Sequence, residues 1–95
     1  MIRSTVRYTG RVQGVGFRYT CVDIARRFQV AGYVQNQHDG SVKLVAEAET
    51  AELKKFLATI ADRMSRNIKT EDRTNSAATS EFGSPTNPDT FTVRY

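Results

Sequence analysis

Two apolar stripes at helical spacing constrain this chain more than any other feature. Phe17, Cys21, Ile24, Ala25 and Phe28 recur along one face of a helix near 18–30, with Arg26 and Arg27 toward solvent. Leu53, Phe56, Leu57, Ile60 and Met64 do the same from about 51 to 65. Gly32 reads as the stop of the first helix. Thr50 reads as the N-cap of the second, with Glu52 in its first turn, where a negative charge suits the helix dipole. Each stripe must be covered by something, and the segments around them are strand-like.

Residues 2–9, "IRSTVRYT", alternate: Ile2, Ser4, Val6 and Tyr8 share one face, Arg3, Thr5, Arg7 and Thr9 the other. Between the helices lies a hairpin, with one arm from Tyr33 to Gln37 and the other from Ser41 to Ala48. Asp39-Gly40 supplies the positive φ of its tight turn. In the second arm Val42, Leu44, Ala46 and Ala48 face one way, and Lys43, Val45, Glu47 and Glu49 the other. "NIKTEDRTNSAAT" has little apolar alternation beyond Ile68, so a strand there is mostly exposed or an edge. "SEFGSPTNPD" reads as a loop, and "TFTVRY" as a short closing strand with Phe91, Val93 and Tyr95 on one face. The order β-α-β-β-α-(β)-β predicts an α+β fold of the split-βαβ, ferredoxin-like plan. A mainly antiparallel sheet of four to five strands carries two helices on one face.

At 95 residues the chain has room for one domain, 1–95, with a single modest core. Cys21 is its one cysteine, so no internal disulfide can form and packing alone must hold the fold. There is no apolar run of membrane-spanning length and no signal-peptide pattern, so a cytoplasmic chain without membrane partners is expected. A formal net charge of +4, spread without a dense basic tract, favours anionic partners.

The stretch "GRVQGVGFRYT", residues 10–20, crowds three glycines and two arginines between the first strand and the first helix. It matches neither a P-loop, since no Lys-Ser/Thr follows the glycines, nor the dinucleotide fingerprint, since Tyr19 stands where the third glycine belongs. It has its own logic as an anion nest. Gly14 and Gly16 lack Cβ, so backbone N–H groups can turn inward at a helix N-terminus whose dipole end is positive. Arg18 enters the helix there with a planar fork matched to two phosphoryl oxygens. Glycine spacing alone favours a plain tight turn, with Arg18 as a solvated surface charge.

The full strings "GRVQGVGFR", "GYVQN" and "DGSVKLVAEAE" resemble the acylphosphatase family. The resemblance is specific over about residues 6–57 and at "TFTVRY", and faint across 65–90, where the family usually has an apolar-alternating strand. It implies hydrolysis of a small-molecule acyl phosphate to a carboxylate and inorganic phosphate. By that resemblance the backbone of Val12, Gln13, Gly14, Val15, Gly16 and Phe17 cradles the phosphate. Arg18 grips it, and Asn36 positions the attacking water. The family needs no cofactor, and one histidine with one cysteine gives no metal-ligand pattern, so neither metal nor cofactor is expected.

Other residues read plainly. His38 sits beside the hairpin turn as a solvent-facing residue, and Cys21 is a small buried apolar group rather than a nucleophile. Asp23 is placed to pair with Arg26 or Arg27, a solvated contact. Two alternatives share the βαββαβ order: a non-catalytic binder of phosphate-bearing ligands, and an RNA-recognition module. The second is disfavoured, because "SVKLVAEAE" lacks the aromatics that stack bases and carries two glutamates. No nucleic-acid partner is therefore expected. The chain's ending at Tyr95 and its lack of exposed apolar runs predict a free-standing monomer rather than the similar module of larger carbamoyl-transfer proteins.

Overall fold

A computed structural model describes residues 1–87 and 89–95. The elements run β1 (Ile2–Gly10), α1 (Phe17–Ala25), β2 (Ala31–Asn36), β3 (Val42–Ala48), α2 (Thr50–Arg63), β4 (Ile68–Ala77) and β5 (Phe91–Arg94). The five strands form one sheet in the order β4-β1-β3-β2-β5. All neighbours are antiparallel except β2 and β5, which are parallel. This is the expected α+β sandwich.

The alternation of the strands explains which side is covered. Val6 and Tyr8 of β1, Val34 of β2, and Val42, Leu44, Ala46 and Ala48 of β3 are fully buried, together with Phe17, Cys21 and Ile24 of α1 and Leu53, Phe56, Leu57 and Ile60 of α2. Both helical stripes thus bury against one sheet face, the dominant source of stability in a chain without cross-links. β4 lies at the sheet edge and is almost wholly exposed, as its polar sequence predicts. The loop expected over residues 80–89 includes Pro88, which lies outside the described residues; the rest of it is irregular. No described helix is long and apolar enough to cross a membrane.

Several boundaries differ from the sequence reading. α1 ends at Ala25, not near 30, because the amides of Arg27 and Phe28 bond to carbonyls only three residues back, at 2.9 and 3.1 Å, tightening the last turn. Phe28 still serves the core from beyond the helix, its ring 6.0 Å from that of Phe56. Gly32 is therefore not a helix stop. It lies within β2 at φ 146°, where a Cβ would stand 1.9 Å from the Val45 carbonyl oxygen, so it permits a close approach of β2 to β3. Thr50 is not the N-cap of α2. Glu49 is, with extended dihedrals, and its carbonyl accepts the first helical bond from the Leu53 amide at 2.9 Å.

The helix-free face holds a feature that alternation alone conceals. Glu47 points there, as the pattern requires, yet is 1% exposed. Its carboxylate accepts from Arg3 Nε at 2.8 Å and from the amides of Thr79 and Ser80 at 2.8 and 2.9 Å. Burial pushes this carboxyl up, but these donors outweigh it and hold the group below its usual range. Ser80 adopts φ 64°, a left-handed conformation costly for a side-chain-bearing residue and held here by the bond to Glu47. Phe82 completes the strap, packing on Tyr33 at 5.7 Å beneath the Arg3 guanidinium.

Candidate active site

The glycine-rich loop is fixed at both of its ends and in its middle. At the stem, Arg11 N donates to the Asn67 carbonyl at 2.8 Å, and Asn67 Nδ2 returns a bond to the Arg11 carbonyl at 3.1 Å. In the middle, Gln13 Nε2 donates to the carbonyls of Gln37 and Ser41, at 2.8 and 2.9 Å, tying the loop to the mouth of the β2–β3 hairpin. At the exit, Phe17 is buried with its ring 5.0 Å from that of Tyr8. Between these anchors Gly14 and Gly16 take φ values of 74° and 77°, which a side chain would disfavour. Gly16 caps α1 without a side-chain hydrogen bond, so the amides of the first turn keep no competing side-chain acceptor at the cap.

The loop closes around a pocket of about 170 Å³ lined by Val12, Gly14, Gly16, Phe17, Arg18, Tyr19 and Asn36. Loop, helix start and second strand therefore meet at one place. Arg18 arrives from the first turn of α1, and Asn36 from the end of β2, on the same face as the core residue Val34. Gln13 and Val15, expected to lend backbone amides to the cradle, turn their side chains elsewhere. Gln13 is turned to the hairpin, and Val15 is exposed between two lining glycines.

Two unfinished valences mark the pocket. Among the described residues no carboxylate forms an ion pair with Arg18; its guanidinium lies over the Tyr95 ring, 5.0 Å from the centroid. Asn36 Oδ1 is buried and accepts no hydrogen bond from the protein. Buried polar atoms are nearly always partnered, so an orphan beside an uncommitted guanidinium and glycine-flanked amides is a site prepared for an anion and a hydrogen-bond donor. A larger hollow of about 500 Å³ lies on the helix-free face, but there Arg7 and Asp39 already neutralise each other at 2.6 Å.

The residues read as structural behave so. Cys21 is buried, and that burial pushes its thiol far up, so no thiolate is available as a nucleophile. His38 is exposed in the hairpin turn, where Gly40 has φ 91° and Asp39 accepts from the Ser41 amide at 2.9 Å. Asp23 lies 3.9 Å from Arg27 and 3.8 Å from Arg63, both solvated pairs. Sequence reasoning missed Tyr19 and Tyr95, whose hydroxyls meet at 3.1 Å beside Arg18. Tyr19 follows Arg18 directly, which is a signal the sequence does carry. Tyr95 reaches the site only because β5 runs parallel to β2, a pairing that no local pattern announces.

Comparison with known proteins accords with this geometry. The acylphosphatase family model matches residues 4–88. An acylphosphatase from Listeria welshimeri is 50% identical over 62 residues, covering 63% of this chain and 67% of that protein. One from Clostridium acetobutylicum is 42% identical over 72 residues, covering 76% and 78%. The crystal structure of acylphosphatase from Bacillus subtilis superposes over 100% of both chains with a TM-score of 0.83 and 28% identity.

Proposed function

Since this chain belongs to the acylphosphatase family, we propose that it hydrolyses the carboxyl–phosphate anhydride of acyl phosphates through the pocket around Arg18 and Asn36. Water adds to phosphorus, the bond from phosphorus to the acyl oxygen breaks, and its electron pair leaves with the carboxylate. The products are a carboxylate and inorganic phosphate. The leaving carboxylate has a conjugate acid of pKa roughly 4, so it departs as an anion at neutral pH and needs no general acid.

Phosphoryl transfer passes through a loose transition state, so catalysis reduces mostly to placement and charge stabilisation. Arg18 and the amides from Val12 to Phe17 hold the phosphoryl oxygens as charge shifts among them. Asn36 Oδ1 accepts from the water and orients it in line with the departing carboxylate. A carboxamide is too weak a base to take the proton, which passes late to a phosphoryl oxygen of the substrate. The observation that carries the reading is the convergence of Gly14, Gly16, Arg18 and Asn36 on one pocket, with Asn36 Oδ1 unpartnered.

The rest of the proposal is that residues 1–95 form one domain and that the enzyme is a monomer working in the cytoplasm, where the unpaired Cys21 thiol is at home. The RNA-binding alternative is weakened by the sheet's helix-free face. Glu47 and the 79–82 strap occupy ground on which an RNA-recognition module stacks bases. The deciding measurement is inorganic phosphate release from benzoyl phosphate with and without EDTA. Release unaffected by the chelator is expected; no release, or release abolished by EDTA, overturns the mechanism.

A further inference from the structure

The two reacting groups of the preceding section fall to different elements. The phosphoryl group belongs to the loop and Arg18, and the water to Asn36, the last residue of β2. Along the chain all of α1 lies between them. In-line attack fixes the distance from water to phosphorus, so the two elements must be set against each other. β2 does this only in part. Asn36 pairs with Val42 of β3, whereas the pairing with β5 runs from Gly32 to Gln35, and among the described residues nothing donates to Asn36 Oδ1.

Gln13 spans the gap. Its backbone lies between Val12 and Gly14, which both line the pocket. Its side chain is half-buried and turned away, and Nε2 donates to the carbonyls of Gln37 at 2.8 Å and Ser41 at 2.9 Å. Both acceptors are carbonyls, so only the NH2 end of the amide can face them, and its two hydrogens are used up there. Gln37 directly follows Asn36, and Ser41 directly precedes Val42, the strand partner of Asn36. These carbonyls sit on a stiff mount. The Gln37 amide donates to the Ser41 carbonyl at 2.8 Å. Asp39 accepts from the Ser41 amide at 2.9 Å, from its hydroxyl at 2.5 Å and from Arg7 at 2.6 Å.

We propose that Gln13 is a positioning residue for the hydrolysis: its side-chain amide sets the spacing between the phosphate cradle and the water at Asn36, touching neither. The proposal rests on the acyl-phosphate reading. A side chain that only braced the loop would act on phosphate affinity, because a slack cradle binds its anion less well. A side chain that sets the spacing acts on turnover and acts through Asn36, since a displaced water matters only to the chemical step.

The variants are Gln13→Ala and Gln13→Met, the second keeping the length and losing the donors. Each should lower kcat on benzoyl phosphate about tenfold and leave the inhibition constant of inorganic phosphate within about twofold. In an Asn36→Ala background Gln13→Met should lower kcat by less than about twofold, because the group it acts through is gone. Unchanged kcat in Gln13→Met overturns the proposal. So does an equal loss in both backgrounds, or a phosphate inhibition constant that rises as much as kcat falls. A readout without turnover separates the proposal from the hydrolytic reading: the NMR order parameter of the Asn36 side-chain amide in the phosphate-bound protein. It should be near the rigid value of about 0.85 in the wild type and below about 0.6 in Gln13→Met, with the backbone amides of residues 12–17 still shifting on phosphate addition. That result upholds the coupling even if no acyl phosphate is hydrolysed, and an Asn36 amide equally ordered in both proteins refutes it.

Discussion

Two clusters of charge belong to opposite faces of one sheet, and they are finished differently. On the helix-free face the Glu47 carboxylate is surrounded by the Arg3 guanidinium and two backbone amides, all within 2.9 Å. On the helix side Arg18 has an aromatic ring but no described carboxylate, and Asn36 Oδ1 has no donor. The first cluster spends its hydrogen-bonding capacity within the protein and so contributes to stability. The second keeps its capacity open at a measurable disadvantage to the folded state, the mark of a group kept for a ligand. Similar residue types serve both ends; what separates them is whether the partners come from the chain.

Breaking the open cluster should cost activity and leave the fold intact. The largest effect is expected for Arg18→Ala, a fall in kcat/KM of about 10³-fold on benzoyl phosphate, shared between KM and kcat, because the fork acts in both ground and transition states. Arg18→Lys should recover little of it, since an ammonium offers no planar pair of donors. Asn36→Ala should lower kcat about 10²-fold with KM nearly unchanged, because water placement matters only for the chemical step. Wild-type turnover in that variant removes Asn36 from the mechanism. In both variants the thermal midpoint should stay close to that of the wild type.

Breaking the closed cluster should do the reverse. Glu47→Gln is expected to lose about 1.5 kcal/mol at neutral pH, read as a Tm lower by roughly 8 °C, with turnover of the folded enzyme unchanged. The pH dependence has a definite sign. The Glu47 carboxyl is held below its ordinary value in the folded protein, so its stabilisation is fully present above the unfolded carboxyl range and fades as pH falls through the folded value. The Tm gap between the wild type and Glu47→Gln should therefore narrow on acidification from about pH 5 downward. A gap that persists unchanged at low pH would assign the loss to packing rather than to charge.

The comparison also shows what a sequence makes legible. The helix stripes, the strand alternation and the Asp39-Gly40 turn are local patterns, and the fold follows from them. Arg18 and Asn36 stand in dense local strings that single out both residues, and the two side chains line one pocket. What escapes such reading depends on distant segments meeting. Glu47 reads as solvent-facing because alternation reports only a face, not the strap of residues 79–82 that covers it. Gly32 reads as a helix stop because the reason for a glycine there is the Val45 carbonyl on the next strand. Tyr95 reads as the apolar end of a short strand, and its place over Arg18 follows from a parallel pairing across the chain.

The polar edge strand β4 has one more consequence. From Thr70 to Ser76 it carries no apolar side chain, and Glu71, Asp72 and Arg73 set three charges along it, while the opposite margin of the sheet, β5, is four residues long. A neighbouring molecule arriving at either border meets a hydrated, charged template or too short a one, so lateral growth into fibrils finds no place to begin. The segment with the least apolar alternation in the sequence is the one that shields the sheet from copying itself.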